Sequence, residues 1–246
     1  MQVEEHIHGS SRKLKQMRCP SAAAVVLAGG SGTRFGSDKL MAELEGIPVL
    51  IRSLRAFQEA EIIREIVLVA RSDAFEAVAA LCSQYGAEKI SAVVPGGATR
   101  ALSCYAGVMA VSDESDIVAI HDGARPLVTP ELIMNTVWDA YRHGAAVPAL
   151  PVRDTIKRGK DNIVAETPDR SSLYAVQTPQ CFQRNLIQAA LMDAVKNAPE
   201  ITDDCMAVER IGGQIWLSAG SEENIKITTP LDLELASLIL CRREGK

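Results

Sequence analysis

The chain contains no stretch near the roughly twenty consecutive apolar residues of a membrane helix, and Met1 to Pro20 has no apolar core of a secretory signal. Those absences argue against a helical membrane span and against export. Paired-cysteine motifs are also missing. The six cysteines, at positions 19, 82, 104, 181, 205 and 241, show no CxxC spacing and no adjacent histidine, which fits the reduced thiols of a cytoplasmic protein rather than a disulfide or zinc framework. The net charge is -5, and no lysine or arginine cluster follows Lys39. The phosphate-tracking stripe of a nucleic-acid binder is therefore absent. Internal repeats, low-complexity tracts and dividing linkers are lacking as well.

What is present is 246 residues with 47% hydrophobic content, enough for one domain with a full core. Residues 1–20 are polar and charged and read as an extension, in which His6 and His8 fit a solvated tail better than a metal site. Residues 21–246 read as a single domain.

Strand and helix patterns alternate along it. Ala22 to Leu27 is an apolar run of strand length, and Pro48 to Ala60 carries helical spacing. Ile66 to Ala70 is a second buried strand, followed by a helix that Ser72 can cap. Ser91 to Val94, a helix over 99–111 and a strand over 117–120 continue the series. Thr129-Pro130 opens a helix that stops at Gly144. The alternation predicts an α/β fold of Rossmann-like three-layer type, with a mostly parallel sheet between two helical layers. From Ala145 the rhythm breaks. Residues 153–173 are polar and lack an apolar helical stripe, which predicts a hairpin arm. Helices over 186–195 and from a Thr202 cap, strands over 215–217 and 225–227, and a helix from Thr229-Pro230 complete the reading.

In such sheets ligands sit beyond the carboxyl ends of the strands. The first of these ends is Ala28-Gly29-Gly30-Ser31-Gly32-Thr33-Arg34, with Lys39 close behind. Glycines let backbone N–H groups converge on phosphate oxygens, and Arg34 and Lys39 add counter-charge. The spacing fits neither GxGxxG leading into a helix nor a P-loop. Gly96-Gly97 with Arg100 and Ser103 can admit a planar base, though a plain turn with a surface arginine fits equally well. His121-Asp122-Gly123-Ala124-Arg125-Pro126 follows a buried strand. Asp122 is a candidate Mg²⁺ ligand, His121 reads as a packing residue, and Arg125 is either a structural pin or a nucleotide contact. Asp203 caps a helix or supplies a second metal carboxylate. Lys226 is either the solvent-facing residue of a strand or a phosphate ligand.

Taken in order, these motifs, together with Pro151-Val152-Arg153-Asp154-Thr155-Ile156-Lys157, Asp169-Arg170, Gln177-Thr178-Pro179-Gln180, Thr202-Asp203-Asp204 and Asn224-Ile225-Lys226-Ile227-Thr228, resemble the 2-C-methyl-D-erythritol 4-phosphate cytidylyltransferase family. The resemblance covers nearly everything after the tail. It implies cytidylyl transfer from CTP to methylerythritol phosphate, with release of diphosphate, in the non-mevalonate route to isoprenoid precursors. It also implies Mg²⁺ at Asp122 and Asp203, and a homodimer clasped through the arm. By the same resemblance Arg34, Lys39, Arg170 and Lys226 are catalytic. Ala28, Gly29, Gly30, Gly32, Thr33, Gly97, Arg100, Ser103, Asp122, Gly123 and Arg125 hold the nucleotide, and Thr155, Arg170, Thr178, Thr202 and Asp203 the acceptor. One departure is Ser37-Asp38 before Lys39, where the family usually has a proline that presets the backbone. Two other readings share many of these features: a ribitol 5-phosphate cytidylyltransferase and a non-catalytic CTP-binding relative.

Overall fold

Alternate residues of the first strand pack into opposite cores, which explains its unbroken apolar run. In β1 (Ala22–Ala28), Ala22, Ala24 and Val26 join one cluster while Ala23 and Val25 join the other. The same division occurs in β4 (Ile63–Ala70), where Ile66 and Leu68 face one core and Val67 and Val69 the other. A strand covered on both faces has no polar side to show.

The computed structural model describes residues 18–29, 39–198 and 200–245. After β1, a small antiparallel pair, β2 (Glu43–Leu44) and β3 (Ile47–Pro48), leads into α1 (Val49–Glu59). Then come β4, α2 (Phe75–Gln84), β5 (Ile90–Pro95), α3 (Arg100–Met109), β6 (Ile117–Asp122), α4 (Pro130–His143) and β7 (Ala145–Pro151). The arm strands β8 (Arg158–Lys160) and β9 (Ile163–Glu166) form their own antiparallel ribbon. The chain returns through β10 (Tyr174–Val176) and β11 (Gln180–Gln183), then α5 (Arg184–Asn197), α6 (Asp204–Arg210), β12 (Trp216–Ala219) and α7 (Pro230–Arg243).

The main sheet runs β10-β7-β11-β6-β1-β4-β5, with β12 also paired to β7. Strands β6, β1, β4 and β5 are mutually parallel, whereas β11 runs antiparallel between β6 and β7. Apolar residues of α1, α2, α4 and α7 cover one face, and those of α3, α5 and α6 the other. The expected α/β sandwich with a mostly parallel sheet is thus observed. The chain leaves β1 toward β4 and β5, then crosses back to β6 on the far side of β1. That reversal is the topological switch point, where a crevice opens beyond the strand ends.

Local departures from the sequence reading have physical reasons. Residues 225–227 form no strand: Ile227 N–H bonds the Ala124 carbonyl at 2.8 Å and ties an irregular segment to the β6–α4 loop. Ser72 opens a single 3₁₀ turn, and α2 begins only at Phe75. At α6 the cap is Asp203, not Thr202, because the Asp203 carboxylate accepts the Met206 N–H at 2.9 Å. Strand β11 was not foreseen, since its Gln-Cys-Phe-Gln sequence carries no apolar run.

Candidate active site

Leu27 pairs with Asp122 across β1 and β6, and with Val69 across β1 and β4. This row of residues marks the carboxyl edge of the sheet. Above it lies a cavity of about 310 Å³ lined by, among others, Gly29, Lys39, Gly97, Arg100, Ser103, Asp122, Gly123 and Lys226. Residues from both ends of the chain therefore share one pocket, as the strand-end argument requires.

Asp122, the last residue of β6, is its electrostatic centre. Its Oδ2 accepts the Lys226 ammonium at 2.7 Å, and its Oδ1 accepts the Arg100 guanidinium at 3.2 Å. Burial alone pushes this carboxyl upward, but Arg100 and Lys226 override that push and hold it well below the usual carboxylate range. Arg100 also donates to the fully buried Asp204 at 2.7 Å. The position of Lys226 depends on tethers around it. Arg125 donates to the Asn224 carbonyl at 2.7 Å, and the Asn224 amide donates to the Thr178 carbonyl at 2.9 Å.

Two glycines in the pocket wall are dictated by space. A Cβ on Gly123 would stand 2.9 Å from the Leu27 carbonyl oxygen, and one on Gly97 would stand 2.3 Å from the Leu102 Cβ. Without side chains, both loops fold back against their neighbours and leave the pocket open. The Ser103 hydroxyl donates to the Thr99 carbonyl at 2.9 Å and accepts the Gly97 N–H at 3.1 Å, which fixes the β5–α3 turn.

Beneath Asp122 lies a buried relay. The Thr178 hydroxyl accepts the Asp122 N–H at 3.1 Å and lies 2.9 Å from His121 Nδ1, to which it donates because the other ring nitrogen faces a carbonyl that can only accept. His121 Nε2 then carries the ring proton and faces the Arg125 carbonyl at 3.3 Å. Burial, opposed by Asp122, lowers the His121 pKa to about 4. A neutral, fully bonded imidazole is a packing residue here, as its sequence context suggested.

This has a measurable consequence. Between pH 6.5 and 4 the unfolded chain protonates His121 while the folded chain does not, so this contribution to stability is fully present above pH 6.5 and is lost as pH falls. A shift of this size corresponds to about 3 kcal/mol across that window. Denaturant unfolding as a function of pH should show this decline in the parent protein, and a shallower one in His121→Gln. Equal slopes would mean that His121 does not titrate between the two states.

Other sequence candidates lie elsewhere. Gly30, Gly32, Thr33 and Arg34 fall outside the described residues. Ala28 ends β1 directly before Gly29, which lines the cavity. Thr155 and Arg170 are exposed and do not line the cavity; Arg170 donates to the Arg153 carbonyl at 2.7 Å. Thr202 and Asp203 sit at the start of α6, where the second Asp203 oxygen accepts the Gln180 amide at 2.9 Å. Sequence reasoning gave no role to Asp204, Gln180 or Asn224, all buried and all tied to this network. Their only signal was membership of the quoted motifs.

Comparison with known proteins shows the family. Residues 22–242 match the family described as IspD: 2-C-methyl-D-erythritol 4-phosphate cytidylyltransferase. A protein of that name from Rubrobacter xylanophilus is 44% identical, the match covering 92% of this chain and 97% of the relative. One from Alkaliphilus oremlandii is 42% identical, with 91% and 97% covered. The crystal structure of 4-diphosphocytidyl-2C-methyl-D-erythritol synthase from Anaerococcus prevotii superposes with a TM-score of 0.79 at 31% identity, covering 91% of this chain and 99% of that one. Fold, pocket and relatives define an enzyme of the nucleotidyltransferase class. Within that class, the chain belongs to the 2-C-methyl-D-erythritol 4-phosphate cytidylyltransferase family.

Proposed function

We propose that the enzyme transfers a cytidylyl group from CTP to 2-C-methyl-D-erythritol 4-phosphate, giving the cytidine diphosphate derivative and diphosphate on the route to isoprenoid precursors. The observation that carries this reading is the convergence of Lys39 and Lys226 on one cavity whose floor is the ion-paired Asp122. An acceptor phosphate oxygen attacks the α-phosphorus of CTP, the bond to the β-phosphate oxygen breaks, and diphosphate leaves. A phosphate nucleophile is already ionised, so no strong base is needed, and the protein acts by positioning and by supplying positive charge. Lys226 is aimed by Asp122, and the turn at Gly97, held by Ser103, leaves a side-chain-free wall against which the cytosine can lie.

A divalent ion fits this arrangement in one way. Among the described residues no group of three or more His, Cys, Asp or Glu comes together, and Asp203 has its two oxygens on the Met206 N–H and Gln180. Asp122, unlike Asp203, lines the pocket; each of its oxygens holds one cation and has a further lone pair, so it would reach Mg²⁺ held largely by the triphosphate itself. When bound, the ion neutralises charge on the nucleotide and on the departing diphosphate.

The arm supports a homodimer. Among the described residues ribbon β8–β9 pairs with no other strand, and Ile163 and Val164 are 71% and 60% exposed at its tip. An isolated two-stranded ribbon is marginal in water and gains stability by covering such residues. Because Thr155 and Arg170 lie outside their own chain's cavity, the reading assigns them to the site of a second copy. It puts the enzyme in the cytoplasm, which its six free thiols support, four of them buried.

The test is diphosphate release with CTP, Mg²⁺ and one polyol phosphate at a time. Release is expected with methylerythritol phosphate at least about 10-fold faster than with ribitol 5-phosphate, roughly the lower end of what one methyl group supplies in binding. Release with ribitol 5-phosphate alone would replace the proposed acceptor, and no release with either would favour a binding protein.

A further inference from the structure

Four side chains of alternating charge run from behind the cavity into its lining: Asp204, Arg100, Asp122 and Lys226, joined at 2.7, 3.2 and 2.7 Å. Asp204 is the inner end. It is completely buried, does not line the cavity, and cannot touch a substrate there. Its place is set by Gln180: the side-chain Oε1 accepts the Asp204 and Cys205 N–H groups at 2.9 and 3.1 Å, and the side-chain Nε2 donates to Asp203. Burying a carboxylate this far is costly unless it is paired, and the cation it pairs with is Arg100.

The geometry of a guanidinium shows what the pairing accomplishes. Its planar fork tends to grip a carboxylate with two parallel bonds. Here the fork is divided, with Nη2 on Asp204 and Nη1 on Asp122. That division leaves the second Asp122 oxygen to Lys226 without competition from Arg100.

We propose, building on the functional reading above, that Asp204 is a positioning residue: it holds Arg100 to a single oxygen of Asp122, so that the other oxygen keeps the Lys226 ammonium at the reacting phosphates. Without Asp204, Arg100 closes on Asp122 with both nitrogens and displaces Lys226.

The test is a double-mutant cycle on the full-length protein with CTP, Mg²⁺ and methylerythritol phosphate. Asp204→Asn keeps the shape and removes the charge, and should lower kcat about 10- to 100-fold with KM for CTP changed less than about threefold. In an Arg100→Gln background the same substitution should cost nothing more, because the arginine through which it acts is gone. A carboxylate that acts independently of Arg100 would give losses that multiply, and one that serves stability alone would lower the melting temperature and leave kcat of the folded protein unchanged. If Asp204→Asn alone does not fold, the double variant, which leaves no unpaired buried charge, is compared with Arg100→Gln; equal turnover supports the role and a further drop overturns it. Turnover of Asp204→Asn within about twofold of the parent also overturns it. A parent protein that releases no diphosphate overturns the functional reading, and this inference with it.

Discussion

Lys226→Ala is expected to lower kcat by about 10²–10³-fold while the protein still folds. The fold should survive because Asp122 keeps its second cation: Arg100 remains on Oδ1 when the lysine on Oδ2 is removed. No buried charge is left unpaired, so the large penalty for breaking a buried ion pair does not apply. The Lys226 side chain is 39% exposed, and its loss opens little of the core. Turnover, by contrast, loses a preorganised cation at the point where negative charge gathers on the α-phosphorus. The effect should fall mainly on kcat, because Lys39 still lines the cavity for ground-state binding of the triphosphate. Steady-state kinetics alongside a circular-dichroism melt separates these outcomes. Near-normal turnover in a folded variant would reduce Lys226 to a surface counter-ion.

Arg170→Ala should be comparably damaging, although Arg170 lies outside the cavity of its own chain. A planar guanidinium gripping the acceptor phosphate from the partner would reconcile the expected loss with that position. Mixing this inactive variant with inactive Lys226→Ala, then allowing subunits to exchange, provides a sharp check. Half of the dimers become hybrids, and each hybrid holds one site with Lys226 from one copy and Arg170 from the other. Activity should therefore return to about a quarter of the parent level. No recovery, once exchange is verified by mass spectrometry, would mean that each subunit works alone or that Arg170 does not contribute.

The sequence made the scaffold readable because the scaffold rests on local patterns. Apolar runs such as Ala22 to Leu27 mark strands buried on both faces, and the motifs at their ends mark the crevice. Gly123 and Asp122 were recognised for the same reason, as a chemistry-bearing step directly after a strand. What stayed hidden depends on pairing between distant residues. Lys226 sits in no strand; its place comes from Arg125 on the Asn224 carbonyl and from Ile227 on Ala124, bonds that span about a hundred positions. Asp203 and Thr202 are neighbours with similar capping chemistry, and only backbone geometry chose between them. Asp204 was indistinguishable from an ordinary first-turn acid until α6 was seen to bury it against Arg100. Periodicity reports which face of an element is buried, and it is silent on which charges meet.

The central claim is that the crevice between β1 and β6 is where CTP is held for transfer. A crystal structure with CTP and Mg²⁺ tests it most directly. The account predicts the triphosphate in the cavity between Lys39 and Lys226, with the cytosine against Gly97 and Ser103. A nucleotide bound elsewhere, for example in the polar cleft lined by Arg18, Arg64 and Asp116 at the other end of the strands, would contradict it.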